Sequence, residues 1–230
     1  MDEPLLLIET SGRGGRVGLA VGGTLRERAL DPARRHARDL APAVADLLAE
    51  VGLNPRDVRR VGVSVGPGSF TGLRVGIMSA KTFAYATGCE LVAVPTFAAL
   101  AAEVIDPTVE WVCVVADALQ GHVYAERFRR TPATWDTEAP LQIMTIRAWE
   151  TEYGGWLISD NTVIGPGVPL VESSLLPEVT RTAIPAPGLQ AMLTVARRLT
   201  PLSRDEQLAL EPLYLRGSSA EEKAARDGRP

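Results

Sequence analysis

The chain is poor in the side chains with which enzymes most often do chemistry. It holds two cysteines, Cys89 and Cys113, and two histidines, His36 and His122, in 230 residues. The cysteine spacing fits neither a metal nor a redox motif, so a reduced interior is expected. No His-Glu-x-x-His run or paired-cysteine pattern occurs, which argues against a zinc site of familiar ligands. Aromatics make up only 5% of the residues, leaving Ala, Val and Leu to build the core. No apolar run approaches the ~20 residues of a spanning helix. The opening MDEPLLLIETS places acidic residues before its apolar stretch, the reverse of a secretory signal. A cytoplasmic protein without a membrane is expected. The net charge of −4 argues against a surface that grips nucleic acid throughout, and Arg34-Arg35 reads as solvated surface or a local contact.

The most informative stretch is GPGSFTGLRVG, Gly66 to Gly76. A β-branched run, Val61 to Val65, precedes it, and an apolar segment follows to Ala86 and stops at Gly88. That order is strand, glycine turn, helix. Gly66 and Gly68 permit backbone angles closed to other residues, and Ser69 or Thr71 can cap the helix. The first amides of such a helix favour an anion, yet the run has neither the Gly-Lys-Ser/Thr of a phosphate loop nor a dinucleotide fingerprint.

Around it the pattern predicts an α/β fold in two parts. Leu5 to Glu9 reads as a buried strand, and Arg16–Val21 and Thr24–Leu30 flank the hairpin signal Gly22-Gly23. A helix from His36 to Val51 and a strand at Leu91–Val94 complete a mixed sheet with helices. The pattern breaks at Asp106-Pro107, dividing lobes at 1–105 and 106–216, with a polar tail over 217–230. The second lobe starts like the first, with strands at Trp111–Ala116 and His122–Phe128 across a Gly121 turn. Leu141–Ile146 continues it, then a helix at Arg147–Tyr153 and a last helix at Leu189–Leu199. No residue-level repeat accompanies this likeness.

Two helices carry rows of small residues at helical spacing: Ala37, Ala41, Ala45 and Ala49 in the first, Gly72, Gly76, Ala80 and Ala84 in the second. The second is apolar nearly all round, with Leu73 and Ile77 on one stripe and Val75, Met78 and Tyr85 elsewhere, so burial on more than one side is expected. Packing on the sheet and on each other accounts for both helices; a subunit interface is the sharper reading. Catalytic groups are harder to find. Ser69 lacks the elbow of a hydrolase nucleophile and has no base beside it. Thr10 and Ser11 after the first strand, and Asp117 ending a later one, form a candidate phosphate or metal-phosphate site, or simply cap their turns.

Taken in order, LLLIETS, RRHARDLAP, GPGSFTGLRVG, DALQGHVYAERF and EPLYLR resemble the TsaB (YeaZ) family, from the first strand to about Arg216. The resemblance implies a two-lobed actin/Hsp70/sugar-kinase-like (ASKHA) fold and a part in bacterial tRNA threonylcarbamoyladenosine formation. It implies a TsaD-like catalytic partner, a TsaE-like ATPase, a homodimer in the partner's absence, and contact with tRNA through the complex. It implies no cofactor of the chain's own, ATP or ADP at the subunit junction being the open alternative. TsaD-like chains carry an HxxxH metal pair where this sequence has Thr96 and Leu100, so no metal is expected. Glu9 stands where the family usually has aspartate. The resemblance also names the interface: the helices before and after the glycine loop, here Ala37, Ala41, Ala45, Ser69, Phe70, Gly72, Leu73, Gly76 and Ala80. A free-standing small-molecule kinase of the same superfamily is the competing reading, and a peptidase an older one that the missing triad opposes.

Overall fold

The computed structural model describes residues 3–31, 36–153, 161–171 and 179–213, with side chains of the first helix from Asp39 onward. The tail at 217–230 and Arg34-Arg35 lie outside these residues.

β1 (Leu5–Glu9) is buried at every position, as a strand covered on both faces must be. It pairs antiparallel with β2 (Arg16–Val21), which pairs with β3 (Thr24–Ala29). Gly22 and Gly23, at φ 57° and 78°, make the two-residue turn that the sequence predicted. β4 (Arg60–Ser64) lies parallel to β1, with Ile8 opposite Val63, and β5 (Glu90–Val94) parallel to β4. The second sheet repeats this plan: β6 (Trp111–Asp117), β7 (His122–Arg130) and β8 (Trp135–Thr145) form an antiparallel meander, and β9 (Asn161–Ile164) and β10 (Thr180–Thr182) add in parallel on the other side of β6. The orders β3-β2-β1-β4-β5 and β8-β7-β6-β9-β10 are the same topology twice. The alike starts of the two halves are therefore structural duplication, and the two-lobed ASKHA arrangement is the one observed.

Helices separate and cover the sheets. α1 (His36–Glu50) and α2 (Phe70–Thr87) pack on one face of the first sheet, with Leu40, Val44 and Leu47 against Ile8, Val61 and Val63. α3 (Thr96–Ala101) lies between the sheets, Ala99 facing the first and Phe97 and Leu100 the second. α4 (Ile146–Tyr153) and the single turn α5 (Val168–Val171) close the far face of the second sheet, burying Trp149 and Tyr153.

The lobe boundary at Asp106-Pro107 divides the sheets but not the whole chain. α6 (Leu189–Ala196) returns to the first sheet, where Leu189, Met192, Leu193 and Ala196 pack on Leu5, Leu7 and Val92. Glycines on the strands make room for it: a Cβ on Gly18 would stand 2.8 Å from Leu189 Cδ1. Beyond it, α7 (Arg204–Ala209) and its flanks run along the same lobe, with Leu202 N donating to Leu91 O and Leu213 N to Val65 O. Residues 189–213 thus belong with the first lobe, because among the described residues the second apolar face of its sheet is covered by α6 together with α3. Among the described residues no helix is long and apolar enough to cross a membrane.

Candidate partner-docking site

The glycine turn is built as a joint. Gly66 takes φ 112°, closed to side chains, and its amide donates to Thr96 Oγ1 at 3.1 Å while its carbonyl accepts from Thr96 N at 3.0 Å. Ser69 caps α2, its Oγ accepting from Gly72 N at 3.2 Å, and Gly88 ends the helix at φ 77°. The turn is pinned to the end of β1 by Ser69 N donating to Ser11 O at 2.7 Å.

The groups proposed for phosphate are engaged only in part: Ser11 and the Thr10 amide bond within the protein, while the Thr10 hydroxyl and Glu9 Oε2 are buried without a hydrogen-bond partner among the described residues. Ser11 N and Ser11 Oγ both donate to Glu9 Oε1 at 2.6 Å, and Thr10 N donates to Ser64 Oγ at 3.2 Å. The turn after Ser11 is roofed by Ala186, whose Cβ would stand 2.7 Å from a Cβ on Gly12. Glu9 is fully buried, and desolvation raises its pKa above 4.5 against the lowering pull of the Ser11 bonds, of Ser64 and of Arg16. An acid that burial drives toward its neutral form makes a poor ligand for a phosphate-bound metal. On the second sheet Asp117 Oδ1 accepts from Leu119 N at 2.7 Å. It fixes a turn in which Leu119 and Gln120 both take positive φ. Ser11 and Asp117 thus serve their own turns, whereas the Thr10 hydroxyl bonds to nothing among the described residues. Among the described residues no group of three or more His, Cys, Asp and Glu is placed to hold a metal.

α2 has two unlike faces, and the small residues lie on the inner one. Gly72, Leu73, Gly76, Ile77, Ala80 and Ala84 are buried. The Thr10 carbonyl and hydroxyl oxygens occupy the space that side chains at Gly72 and Gly76 would need. The expectation that Gly72, Leu73, Gly76 and Ala80 meet a partner is corrected: all four are buried within the chain. Gly72 and Gly76 lie against Thr10 at the end of β1, because a helix seated on a strand end needs glycine for the approach. Leu73 lies beside Gly66, and Ala80 in the core of the first sheet. The opposite face is open. Phe70 is 51%, Met78 62% and Tyr85 78% exposed, and Arg74 stacks over the Phe70 ring at 5.2 Å. Beside it a groove of about 570 Å³ runs between Arg74, Met78 and Lys81 of α2 and Leu210 and Pro212. Lys81 holds that rim by donating to the Leu208 and Leu210 carbonyls at 2.7 and 3.2 Å. On α1 the rows are the other way round: Leu40, Val44 and Leu47 are buried, and Ala41, Ala45 and Ala49 face solvent. The Ala37 side chain lies outside the described ones. Ser69 and Phe70 are exposed as a partner contact requires. Met78 and Tyr85 were absent from the predicted interface, although their place off the buried stripe was a legible signal.

The family model for TsaD, tRNA N6-adenosine threonylcarbamoyltransferase, matches residues 21–217. The protein TsaB of Escherichia coli, named for tRNA threonylcarbamoyladenosine biosynthesis, is 27% identical over 95% of this chain and 97% of its own length. Its Bacillus subtilis namesake is 30% identical over 50% of each chain. A crystal structure of a Pseudomonas aeruginosa protein, described as similar to the peptidase YeaZ, superposes with TM-score 0.81 at 25% identity over 94% of this chain and 100% of that one. The chain belongs to the TsaB (YeaZ) branch of that family. It spans about half the length of several curated relatives, 47% of an uncharacterized Mycobacterium tuberculosis protein and 50% of B. subtilis TsaB.

The two positions at which TsaD-like chains carry the metal-binding histidines now have structural content in this TsaB-family chain. Thr96 staples the glycine turn and Leu100 is sealed in the core between the sheets; neither side chain offers a metal an imidazole. Ser69 is engaged by the Gly72 amide, and His122 Nδ1 pairs with the Gln120 carbonyl at 3.0 Å on the other lobe.

Proposed function

We propose that this chain is a non-catalytic subunit of the bacterial machinery that makes threonylcarbamoyladenosine in tRNA. It docks a TsaD-like transferase through the outer faces of α1 and α2, and a TsaE-like ATPase joins the pair. With no partner present, the same faces join two copies. The chain contributes no cofactor site of its own; ATP or ADP, where used, sits at the subunit junction, and tRNA is met through the complex in the cytoplasm.

One observation carries the reading: α2 is seated by glycines on β1 while it presents Phe70, Met78 and Tyr85 to solvent. An apolar face on a rigidly held helix is expensive to leave wet and suits a partner helix. The bonds that Glu9 Oε1, Ser11 and Asp117 Oδ1 make to neighbouring residues of the chain support a scaffold over a free-standing kinase.

The test is complementation. In a bacterium depleted of its own TsaB, this chain should restore threonylcarbamoyladenosine in bulk tRNA, and Met78→Glu or Ala45→Arg should not, although both fold. Failure of the wild-type chain to restore it while binding the transferase would overturn the proposal.

A further inference from the structure

We infer that Glu9 is a positioning residue for α2: from inside the first lobe its carboxyl sets the Ser11 turn, and that turn aims the head of the docking helix. The inference rests on the docking reading and deepens it by naming what holds the surface in place.

Glu9 is fully buried on the strand face that carries Leu5 and Leu7 into the core with α6. Burying a carboxyl is unfavourable without strong hydrogen bonds, so a strand that required only stability would carry another apolar residue here. What the carboxyl does is hold Ser11. Its Oε1 accepts from both the backbone and the hydroxyl of Ser11, at 2.6 Å each. From the far side of the same residue, the Ser11 carbonyl accepts from Ser69 N, the N-cap of α2.

Contacts around this relay leave little slack. A Cβ on Gly68 would lie 2.6 Å from the Ser11 carbonyl oxygen, and Thr10 oxygens fill the corresponding places at Gly72 and Gly76. The head of α2 therefore rests on Thr10 and Ser11, and Ser11 rests on Glu9. Phe70 and Arg74, stacked at 5.2 Å, project from that head, so a small rotation there displaces the docking side chains directly. Among the described residues, the charged group acting on the Glu9 carboxyl is Arg16, its partner in the β1–β2 register. The other carboxyl oxygen of Glu9, Oε2, is buried with no hydrogen-bond partner among the described residues, so the hold on Ser11 runs through Oε1.

Hydrogen–deuterium exchange on the full chain tests this. Glu9→Ala should speed exchange of the amides at 69–76 about tenfold, with far less change at 80–87, whereas Glu9→Gln, whose amide oxygen still accepts from Ser11, should stay within about twofold of wild type. Unchanged protection of 69–76 in Glu9→Ala overturns the inference. So does a uniform increase throughout the first lobe, or a Gln variant as loose as Ala. Titration with the transferase encoded in the same genome separates the two readings. Glu9→Ala should bind it about tenfold more weakly and Glu9→Gln should restore binding. Met78→Glu, which leaves the relay intact, should lose binding with α2 fully protected. If Met78→Glu binds like wild type, the docking reading fails, and the exchange data alone still decide the role of Glu9.

Discussion

The Thr10 carbonyl oxygen occupies the space in which a side chain on Gly72 would begin. This contact couples the end of the first strand to the first turn of α2, and it reverses the face on which a partner can be sought. Replacing Gly72 with alanine forces backbone apart from backbone, since no flexible side chain is there to yield. The expected cost is about 1–3 kcal/mol, the range for overpacking a close contact, read as a lower urea midpoint with unchanged slope. Gly76→Ala should cost less, because there a threonine hydroxyl can turn aside. Neither variant reports on the partner.

Variants of the outer face should behave in the opposite way. Met78→Glu and Ala45→Arg replace exposed groups, so stability should stay within about 0.5 kcal/mol of wild type. Association with the transferase, or between two copies, should weaken by more than about 2 kcal/mol, as for the centre of an interface. Calorimetry and sedimentation measure the two associations separately.

Glu9 makes stability depend on pH. Its pKa is raised in the fold above 4.5, chiefly by desolvation. Below the unfolded value both states are protonated and no penalty exists. As pH rises past 4.5 the unfolded chain ionises first, so the fold loses stability until the folded pKa is passed. Glu9→Gln should therefore be neutral at pH 4 and stabilising at pH 7, a difference that thermal melts across pH would reveal.

Glu126 on β7 should act likewise in the second lobe. Burial pushes its carboxyl up to about 7, with the Thr137 hydroxyl at 3.2 Å pulling down. The penalty accrues between pH 4.5 and 7 and is complete above. Because the side chain is only partly buried, Glu126→Gln should gain about 1 kcal/mol at pH 8 and nothing at pH 4.

Much of this was legible along the chain. Gly22-Gly23 announced a hairpin, Ser69 and Gly88 the ends of α2, and the buried strands their β-branched or leucine runs, because local backbone preferences decide such features. The first half of β8 was not legible, since Asp136, Glu138 and Pro140 break the strand pattern and the pairing with β7 overrides it. β9 and α5 are too short to show a period. For the site, Ser69, Phe70, Ala41 and Ala45 were read onto exposed positions, whereas Gly72, Leu73, Gly76 and Ala80 were read onto the wrong side of their helix.

By itself the sequence determined that α2 begins at the glycine turn and that one of its stripes is made of small residues. A stripe of small residues states only that something comes close. Whether that neighbour is a second protein or the chain's own first strand depends on where β1 ends relative to the helix, a distance that no local pattern encodes. Tertiary structure decided it by setting Thr10 against Gly72 and Gly76. The same packing set Glu9 as a buried brace for Ser11 and left Phe70, Met78 and Tyr85 as the face available to a partner.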